Sequence, residues 1–464
     1  MTLIKSISGI RGTIGGAPGD NLTPLDAVKF ASAYALWIKE NSGKAAPKVV
    51  IGRDARLSGS MIQALVQNTL IGMGCHIVDL GLSTTPTVEL AVTHEHADGG
   101  IILTASHNPK QWNALKLLNS KGEFLDGAEG QKILDSADKE DFNYSEVDDL
   151  GKVQCIDDYI DRHIQMVLDM PVTQIDAIKA AGFKVVVDGV NSTGGIAIPA
   201  LCRALGVEVV ELYCEPTGLF PHNPEPLKEH LGDLCEAVKE HKADFGITVD
   251  PDVDRLAFVD ENGEMFGEEY TLVACADYIL GHQKGNTVSN LSSSRALRDV
   301  TEKHGGMYFT AAVGEVNVVQ KMKDKEAVIG GEGNGGIIYP ESHYGRDALV
   351  GVAMFLSLLT EKKMKVSELK ASYPSYFMSK KKVQLVKGMP VDAILAAIHA
   401  TYVSEEVTSI DGIKIDFADR WVHMRKSNTE PIIRIYTEAP TQQTADDLAL
   451  QFIAELEEIA LQHA

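Results

Sequence analysis

The stretch Gly100–Pro109 (GIILTASHNP) decides the fold class, because it leads from a buried strand straight to a reactive type of side chain. Its first four residues are apolar or glycine and predict a buried strand. Ser106 follows at the carboxyl end of that strand, where α/β proteins place their chemistry. His107 beside it could stabilise a change of charge on a nucleophilic serine. Taken alone, Ser106 could instead cap the next helix, with a turn at Asn108-Pro109.

A second stretch, Asp250–Arg255 (DPDVDR), repeats this layout after another apolar run. In an extended chain Asp250, Asp252 and Asp254 lie on one face. Three carboxylates held together repel one another unless a hard cation neutralises them, and all-oxygen ligation suits Mg²⁺. Arg255 is then placed to pair with a phosphate or with one of the aspartates. A serine that can carry a phosphoryl group beside such a cage predicts a phosphoryl-transfer site.

The spacing of the aspartates permits three other interpretations. An EF-hand loop also begins D-x-D-x-D, but its sixth position needs glycine and here holds Arg255, and Leu256–Val259 is apolar. An aspartyl phosphatase with Asp250 as the nucleophile stays open. A solvated acidic turn is disfavoured because carboxylates this dense are costly without a partner. The serine stretch is not a Gly-x-Ser-x-Gly elbow, which disfavours acyl transfer.

Two further loops could bind a sugar phosphate. Gly330–Gly336 (GGEGNGG) is glycine-rich, so its backbone can approach a ligand, and Glu332 and Asn334 could bond sugar hydroxyls. No Gly-x-x-x-x-Gly-Lys-Ser/Thr is present, so the loop is not a nucleotide P-loop. Arg425–Pro431 (RKSNTEP), with Arg434 beyond it, combines guanidinium groups and short polar side chains into a plausible phosphate nest. For each loop alone, a plain turn remains possible.

The 464 residues are too many for one hydrophobic core. Strand-like and helix-like patterns alternate in three βαβ-type blocks, with strands predicted at Gly99–Leu103 and Phe245–Val249 among others. These blocks predict parallel or mixed sheets, and the last block is α+β. We expect four domains, with bounds at 1–150, 151–257, 258–371 and 372–464. The acidic stretch from Asp138 to Gly151 looks like a linker after the first block.

Composition excludes several classes of protein. The formal net charge is −22, which argues against nucleic acid as a partner. The six cysteines form no CxxC pair and are expected to be reduced core residues. No apolar run approaches about 18 residues, and the N-terminal stretch lacks a signal-peptide pattern. We therefore expect a cytoplasmic protein with no membrane partner.

The four loops in this order resemble the α-D-phosphohexomutase family, which includes phosphoglucomutases, phosphomannomutases and phosphoglucosamine mutases. TASHNP and DPDVDR are its most specific motifs, and the resemblance covers essentially the whole chain. It implies a heart-shaped molecule, with three similar mixed α/β domains and a C-terminal α+β domain around a central cleft. It also implies one Mg²⁺ per chain, a hexose phosphate substrate, a hexose 1,6-bisphosphate activator, and a monomer or homodimer.

The resemblance also implies roles for individual residues. Ser106 would be phosphorylated and, with Asp250, Asp252 and Asp254, would hold the metal. Arg11 would lie near the phosphoserine, and Lys116 would transfer protons. Glu332 and Asn334 would contact the sugar. The distal phosphate would be held by Arg425, Ser427, Asn428, Thr429 and Arg434, and a further sugar-side loop is Pro221–Pro224.

The sequence departs from the family pattern in the glycine loop. Many members have serine at the position of Asn334 and, at that of Gly336, a histidine to which acid/base work is assigned. Lys116, His107 or His343 could substitute for that histidine. The Gly-Glu-x-Asn-Gly-Gly form resembles an archaeal-type branch often labelled phosphoglucosamine mutase.

The function implied is interconversion of hexose 6-phosphate and hexose 1-phosphate through a 1,6-bisphosphate, with glucosamine phosphate as the first expectation. A phosphoglucomutase/phosphomannomutase of broad specificity is the alternative. An aspartyl phosphatase and a non-catalytic sugar-phosphate binder are more remote.

Overall fold

The computed structural model describes residues 2–6, 9–384, 391–426 and 432–462. Four sheets follow one another along the chain. The first is a mixed, seven-stranded sheet with the order β1-β2-β6-β5-β3-β4-β7. Its strands are β1 Ile4–Ser6, β2 Gly9–Thr13, β3 Lys48–Arg53, β4 His76–Leu82, β5 Gly99–Leu103, β6 Trp112–Leu118 and β7 Val153–Cys155. Its helices are α1 Pro24–Ser42, α2 Gly59–Gly72, α3 Thr85–His94 and α4 Gly127–Lys139.

The second sheet has four strands in the order β11-β10-β8-β9, and only β11 runs antiparallel to its neighbour. Its strands are β8 Lys184–Asp188, β9 Glu208–Leu212, β10 Phe245–Val249 and β11 Leu256–Val259. The helices of this part are α5 Tyr159–Asp169, α6 Ile175–Ala181, α7 Gly194–Ala204 and α8 Gly232–His241.

The third sheet repeats that arrangement with the order β13-β12-β14-β15, and β15 is its antiparallel edge. Its strands are β12 Asn286–Asn290, β13 Tyr308–Ala311, β14 Ala327–Glu332 and β15 Gly336–Ile338. Its helices are α9 Glu268–His282, α10 Ala296–Lys303, α11 Glu315–Asp324, α12 Ala348–Lys362 and α13 Val366–Ala371.

The fourth sheet is antiparallel, with five strands in the order β16-β20-β19-β18-β17. Its strands are β16 Phe377–Gln384, β17 Glu406–Thr408, β18 Ile413–Asp416, β19 Trp421–Lys426 and β20 Ile432–Ala439. The helices α14 Val391–Thr401 and α15 Gln442–Gln462 accompany it. The predicted fold class, three mixed α/β units and a C-terminal α+β unit, is therefore confirmed.

The second and third units share one hydrophobic core. Helices α9 and α12 are apolar on nearly every face because they are buried between the two sheets. At their centre the rings of Phe258 and Phe355 stack with centroids 3.8 Å apart. The first and fourth sheets have separate cores. Loops of the second and third sheets are therefore held in fixed relation to each other.

Several strand predictions are confirmed, including β5 and β10 to the residue. The sheets extend slightly past the predicted domain bounds, since β7 ends at Cys155 and β11 at Val259. The division at 150, 257 and 371 otherwise stays a prediction. No helix in the described part of the chain is long and apolar enough to cross a membrane.

Two sequence predictions are wrong. The acidic stretch after Asp138 is not a free linker: Ser145 and Gly151 donate backbone hydrogen bonds to the end of α2, and the chain then enters β7. Cys155 is not a core residue, because edge strand β7 is exposed along its whole length. Among the other cysteines, Cys214 and Cys235 are only half-buried.

Candidate active site

The serine loop leaves the carboxyl end of β5 in a constrained conformation. Ser106 has φ +48°, a left-handed backbone that a residue with a side chain adopts only when its surroundings impose it. Its N–H donates to Thr104 Oγ1 at 2.9 Å, and the residue is buried. The backbone conformation and burial of Ser106 therefore fix the position of its side-chain oxygen.

Arg56 holds this loop in place. Its guanidinium donates to the carbonyl oxygen of Ser106, and to those of Asn108 at 2.7 Å and Pro109 at 2.8 Å. Asp54 neutralises the guanidinium at 2.9 Å and also accepts from Thr104 Oγ1 at 2.6 Å. The Arg56 and Asp54 side chains are fully buried, so this ion pair is a fixed internal brace for the serine loop. Sequence reasoning missed both residues.

The three predicted aspartates come together directly after β10. Val253, at φ +65°, turns the chain so that all three carboxylates face one another, and each is fully buried. One oxygen from each lies within 4.8 Å of the others. Asp250 Oδ1 accepts the N–H groups of Asp254 and Arg255 at 3.2 and 3.1 Å, and Ser106 Oγ donates to Asp250 Oδ2 at 2.6 Å.

Two cations compensate part of this charge. Lys116 Nζ lies 2.6 Å from Asp252 Oδ2 and 3.2 Å from Asp254 Oδ2, and Arg346 Nη2 lies 2.7 Å from Asp254 Oδ2. Burial opposes ionisation of Asp254, but Arg346 and Lys116 outweigh it and hold its pKa below the usual range. Burial also opposes the charge on Lys116, yet the two aspartates raise its pKa. For Asp250, burial and the other two aspartates raise the pKa well above its usual value.

The donor set fits Mg²⁺. Asp252 Oδ1 and Asp254 Oδ1 are buried and accept no hydrogen bond from the described residues. Such oxygens are costly to leave without a partner, and a hard divalent cation takes carboxylate oxygens as ligands. We name the group formed by Ser106, Lys116 and the three aspartates the transfer wall.

Arg346 joins the transfer wall to the glycine loop. Besides Asp254, its guanidinium contacts Glu315 at 3.0 Å and Glu332 at 3.1 Å. Glu332 Oε1 also accepts from Asn290 Nδ2 and from the N–H of Gly314. The Arg346 side chain fills the space where a side chain on Gly336 would begin. A side chain at position 336, such as the histidine of many family members, would therefore have to displace Arg346.

Asn334 lies within the same loop, with its side-chain oxygen accepting the N–H of Gly336 at 3.2 Å. Sequence reasoning missed Arg346 and Glu315. The available signal was Arg346-Asp347 directly before α12, whose first turn is capped by the Asp347 carboxylate.

Besides Arg346, four arginines line the same cavity, which has a volume of about 510 Å³. We name them the phosphate wall: Arg11, Arg255, Arg425 and Arg434. The Nε atoms of Arg11, Arg255 and Arg425 are buried and have no partner among the described residues. Burial, Arg434 and Arg255 together lower the pKa of Arg11. These cations therefore repel one another, and an anion in the cavity would relieve that repulsion.

The remaining predicted site residues divide into three groups. Ser106, His107, Lys116, Glu332 and Asn334 line this cavity together with the phosphate wall. Ser427, Asn428 and Thr429 lie outside the described residues. In the Pro221–Pro224 loop, His222 Nε2 lies 2.9 Å from Asp188 Oδ2, and the following residue, Glu225, lines the cavity and pairs with Arg255 at 3.1 Å.

His107 and His343 are the two histidines that the sequence predicts as candidates for proton transfer. His107 Nδ1 lies 3.3 Å from Ser106 Oγ, and burial together with Arg255 lowers its pKa well below the usual range. His107 is thus neutral beside the serine. His343 is buried between Glu89 and Asp347, which outweigh burial and raise its pKa to about 10, and it does not line the cavity. The geometry therefore favours His107 and Lys116 over His343.

Four family profiles match successive parts of the chain. Those for the α/β/α domains I, II and III of phosphoglucomutase/phosphomannomutase match residues 3–144, 157–263 and 267–376. The profile for the C-terminal domain of the same proteins matches residues 377–455.

Similar proteins cover nearly the whole chain. A phosphoglucomutase/phosphomannomutase of Thermococcus kodakarensis is 34% identical over 451 residues, which are 96% of this chain and 98% of the relative. A phosphoglucosamine/phosphogalactosamine mutase of Sulfurisphaera tokodaii is 32% identical over 97% of this chain and 98% of its own. A crystal structure of a phosphoglucomutase/phosphomannomutase family protein from Burkholderia thailandensis is 26% identical, covers 98% of this chain and 97% of its own, and superposes with a TM-score of 0.85.

Proposed function

Because the chain belongs to the phosphoglucomutase/phosphomannomutase family of phosphohexomutases, which are isomerases, we propose that it interconverts glucosamine 6-phosphate and glucosamine 1-phosphate through a phosphoserine. One observation carries this proposal. The same cavity presents Ser106 Oγ, 2.6 Å from a buried aspartate oxygen, and four arginines, of which Arg11, Arg255 and Arg425 have buried Nε atoms without a hydrogen-bond partner among the described residues. A phosphoryl donor and a phosphate holder are what such an exchange requires.

The chemistry consists of two phosphoryl transfers. In the first, the oxygen of the acceptor hydroxyl forms a bond to the phosphorus on Ser106 and the serine O–P bond breaks. The acceptor hydroxyl loses its proton, and Ser106 Oγ gains one. The 1,6-bisphosphate then reverses in the cavity and returns its other phosphoryl group to Ser106. The phosphate wall holds whichever phosphate is not being transferred, so it recognises phosphate and not sugar.

The protein contributes positioning and proton handling to each transfer. Arg56 and the Ser106 backbone fix the nucleophilic oxygen, while Lys116 and neutral His107 are the proton-carrying side chains beside it. When bound by Asp250, Asp252 and Asp254, Mg²⁺ would neutralise charge on the transferring phosphoryl group. A hexose 1,6-bisphosphate would restore phosphate to an unphosphorylated Ser106.

Two observations support glucosamine as the sugar. The glycine loop has the Gly-Glu-x-Asn-Gly-Gly form expected of the amino-sugar branch. Several relatives near 31–32% identity are named phosphoglucosamine mutases, and one is named for galactosamine as well. The relative at 34% identity is named a phosphoglucomutase/phosphomannomutase, so an enzyme of broad range is the second candidate.

An aspartyl phosphatase fits the geometry poorly. Both oxygens of Asp250 are engaged: Oδ1 by two backbone N–H groups and Oδ2 by Ser106. Asp250 is also fully buried and does not line the cavity, so its carboxylate is not presented to a substrate phosphate. The serine, in contrast, has its oxygen at the cavity surface.

The deciding experiment is kcat/KM for glucosamine 1-phosphate and glucose 1-phosphate, with Mg²⁺ and the matching bisphosphate present, together with the intact mass of the purified protein. We expect a clear preference for glucosamine 1-phosphate and a phosphate on Ser106. Equal or reversed values would assign the enzyme to general hexose phosphate interconversion. Turnover of neither substrate would reject the mutase itself.

A further inference from the structure

Four glutamates of the described chain line the cavity, and they differ in how their charge is compensated. Glu225 pairs with Arg255, while Glu315 and Glu332 both pair with Arg346. Glu269 forms no ion pair within the described part of the chain. Lys380 is the cation whose charge acts most strongly on Glu269, but it forms its ion pair with the neighbouring Glu268, at 3.3 Å. Among these four glutamates, Glu269 is therefore the one without an ion pair to a described residue.

Glu269 is fixed directly against the glycine loop. Its Oε2 accepts the backbone N–H of Ser294 at 2.9 Å. A side chain on Gly333 would overlap the Glu269 carboxyl group, so the two residues are in contact. Gly333 lies between Glu332 and Asn334, the two residues expected to contact the sugar. The second oxygen, Glu269 Oε1, accepts no hydrogen bond from the described residues.

Glu332 is poorly suited to bind a positively charged substituent of the sugar. Arg346 already balances its charge, and Asn290 and the N–H of Gly314 occupy Oε1. A cationic amine placed there would be repelled by the guanidinium. Glu269 has the opposite character, since among the described residues its Oε1 accepts no hydrogen bond and its carboxyl group forms no ion pair.

We propose that the Glu269 carboxylate binds the 2-ammonium group of glucosamine phosphate and is the residue that selects the amino sugar. This inference rests on the proposed mutase function and names the group that sets its substrate class. Burial, opposed by Lys380 and reinforced by Glu268, raises the pKa of Glu269 to about 8. A bound ammonium group stabilises the ionised form of this carboxyl, which a neutral sugar hydroxyl does far less.

The test compares Glu269→Gln with the wild-type enzyme on two substrates. Glutamine keeps the size of the side chain and an oxygen for the Ser294 N–H, but it removes the charge. We expect kcat/KM for glucosamine 1-phosphate to fall by about 10-fold or more, mainly through KM, while that for glucose 1-phosphate changes by less than about 2-fold. Glu269→Asp, which keeps the charge, should retain part of the preference.

Glu264→Gln is the matched control, because it removes the same charge from an exposed turn just before α9. It should leave both substrates unchanged. Equal losses of Glu269→Gln on the two substrates, or an intact amino-sugar preference, would overturn the role of Glu269 and leave the proposed function standing. A wild-type enzyme that turns over both sugars equally would overturn the glucosamine assignment itself, and this inference with it.

Discussion

The transfer wall and the phosphate wall meet at one cavity, which Ser106, Lys116 and the four arginines line and the three buried aspartates do not. The two walls differ in how their charges are compensated. In the transfer wall nearly every charge has a partner supplied by the protein: Lys116 on two aspartates, Arg346 on Asp254, Ser106 on Asp250. In the phosphate wall the Nε atoms of Arg11, Arg255 and Arg425 are buried and have no hydrogen-bond partner among the described residues, and burial, Arg434 and Arg255 lower the pKa of Arg11. The protein's own groups thus hold most of the transfer wall in place, whereas the phosphate wall keeps more hydrogen-bonding capacity for an anion.

The difference separates two kinds of task. Phosphoryl transfer needs its groups held at fixed positions, and internal ion pairs and backbone hydrogen bonds provide this. Under the proposed mechanism the phosphate wall accepts either end of a bisphosphate. Its four arginines, of which Arg255 pairs with Glu225, leave a surplus of positive charge that suits phosphate without selecting a sugar. Substitutions in the first wall should therefore lower kcat, and substitutions in the second should raise KM.

The largest effect is expected for Ser106→Ala. Without Oγ no covalent transfer can occur, so turnover should fall by at least about 10⁴-fold. The phosphate wall is untouched, so calorimetry should give an affinity for the sugar phosphate within about 3-fold of wild type. The intact mass of the variant should show no phosphate. Turnover close to that of the wild type would reject the phosphoserine and the comparison of the two walls together.

Asp252→Asn should have the next largest effect, because it removes a charged metal ligand and leaves Lys116 with one aspartate. We expect about a 100-fold loss of kcat and a higher Mg²⁺ concentration at half-maximal activity. The check is a Mg²⁺ titration of both proteins, with the exposed Asp148→Asn as the control for charge. An unchanged Mg²⁺ response would remove the three aspartates from the metal site.

Arg56→Lys tests whether positioning alone matters in the transfer wall. A lysine ammonium is a point donor and cannot reach all the carbonyl oxygens that the guanidinium spans. We expect kcat to fall by about 10- to 100-fold with KM changed by less than about 3-fold. Steady-state kinetics on both substrates measure this. A rise in KM instead would show that the serine loop acts in substrate binding and not only in positioning Ser106.

Arg11→Gln is expected to have the smallest effect on activity. It tests most directly whether the phosphate wall binds an anion without stabilising the free protein. Affinity for inorganic phosphate should weaken by about 10-fold, because one charged donor is lost. The melting temperature without ligand should not fall, since the substitution also removes repulsion from Arg255 and Arg434. Thermal unfolding with and without phosphate measures both. A large loss of stability without ligand would show that Arg11 is structural.

The fold could be predicted where hydrophobic pattern and position agree. Strands β5 and β10 are short apolar runs that end in polar motifs, and both were located to the residue. Strand β7 could not be recognised, because its three residues are exposed and it is a strand only by pairing with β4. Strand β2, which carries Arg11, has a glycine-rich sequence that contains no strand pattern.

The site could be predicted where its residues are consecutive. The aspartates and Ser106 lie in short motifs, so residue type and spacing carry the chemistry. Arg56, Arg346 and Glu269 each act from a different loop or helix, and a single arginine or glutamate in a sequence does not reveal that it is buried. Their roles depend on contacts between distant segments, such as Arg56 with Ser106 and Glu269 with Gly333.

The contact between Gly336 and Arg346 also restricts how this site can evolve. Any side chain at 336 would overlap Arg346, and shortening Arg346 alone would leave Asp254, Glu315 and Glu332 without their shared cation. We therefore expect the two positions to be coupled: a side chain at 336 should cost less when residue 346 is shortened in the same protein than when Arg346 is kept.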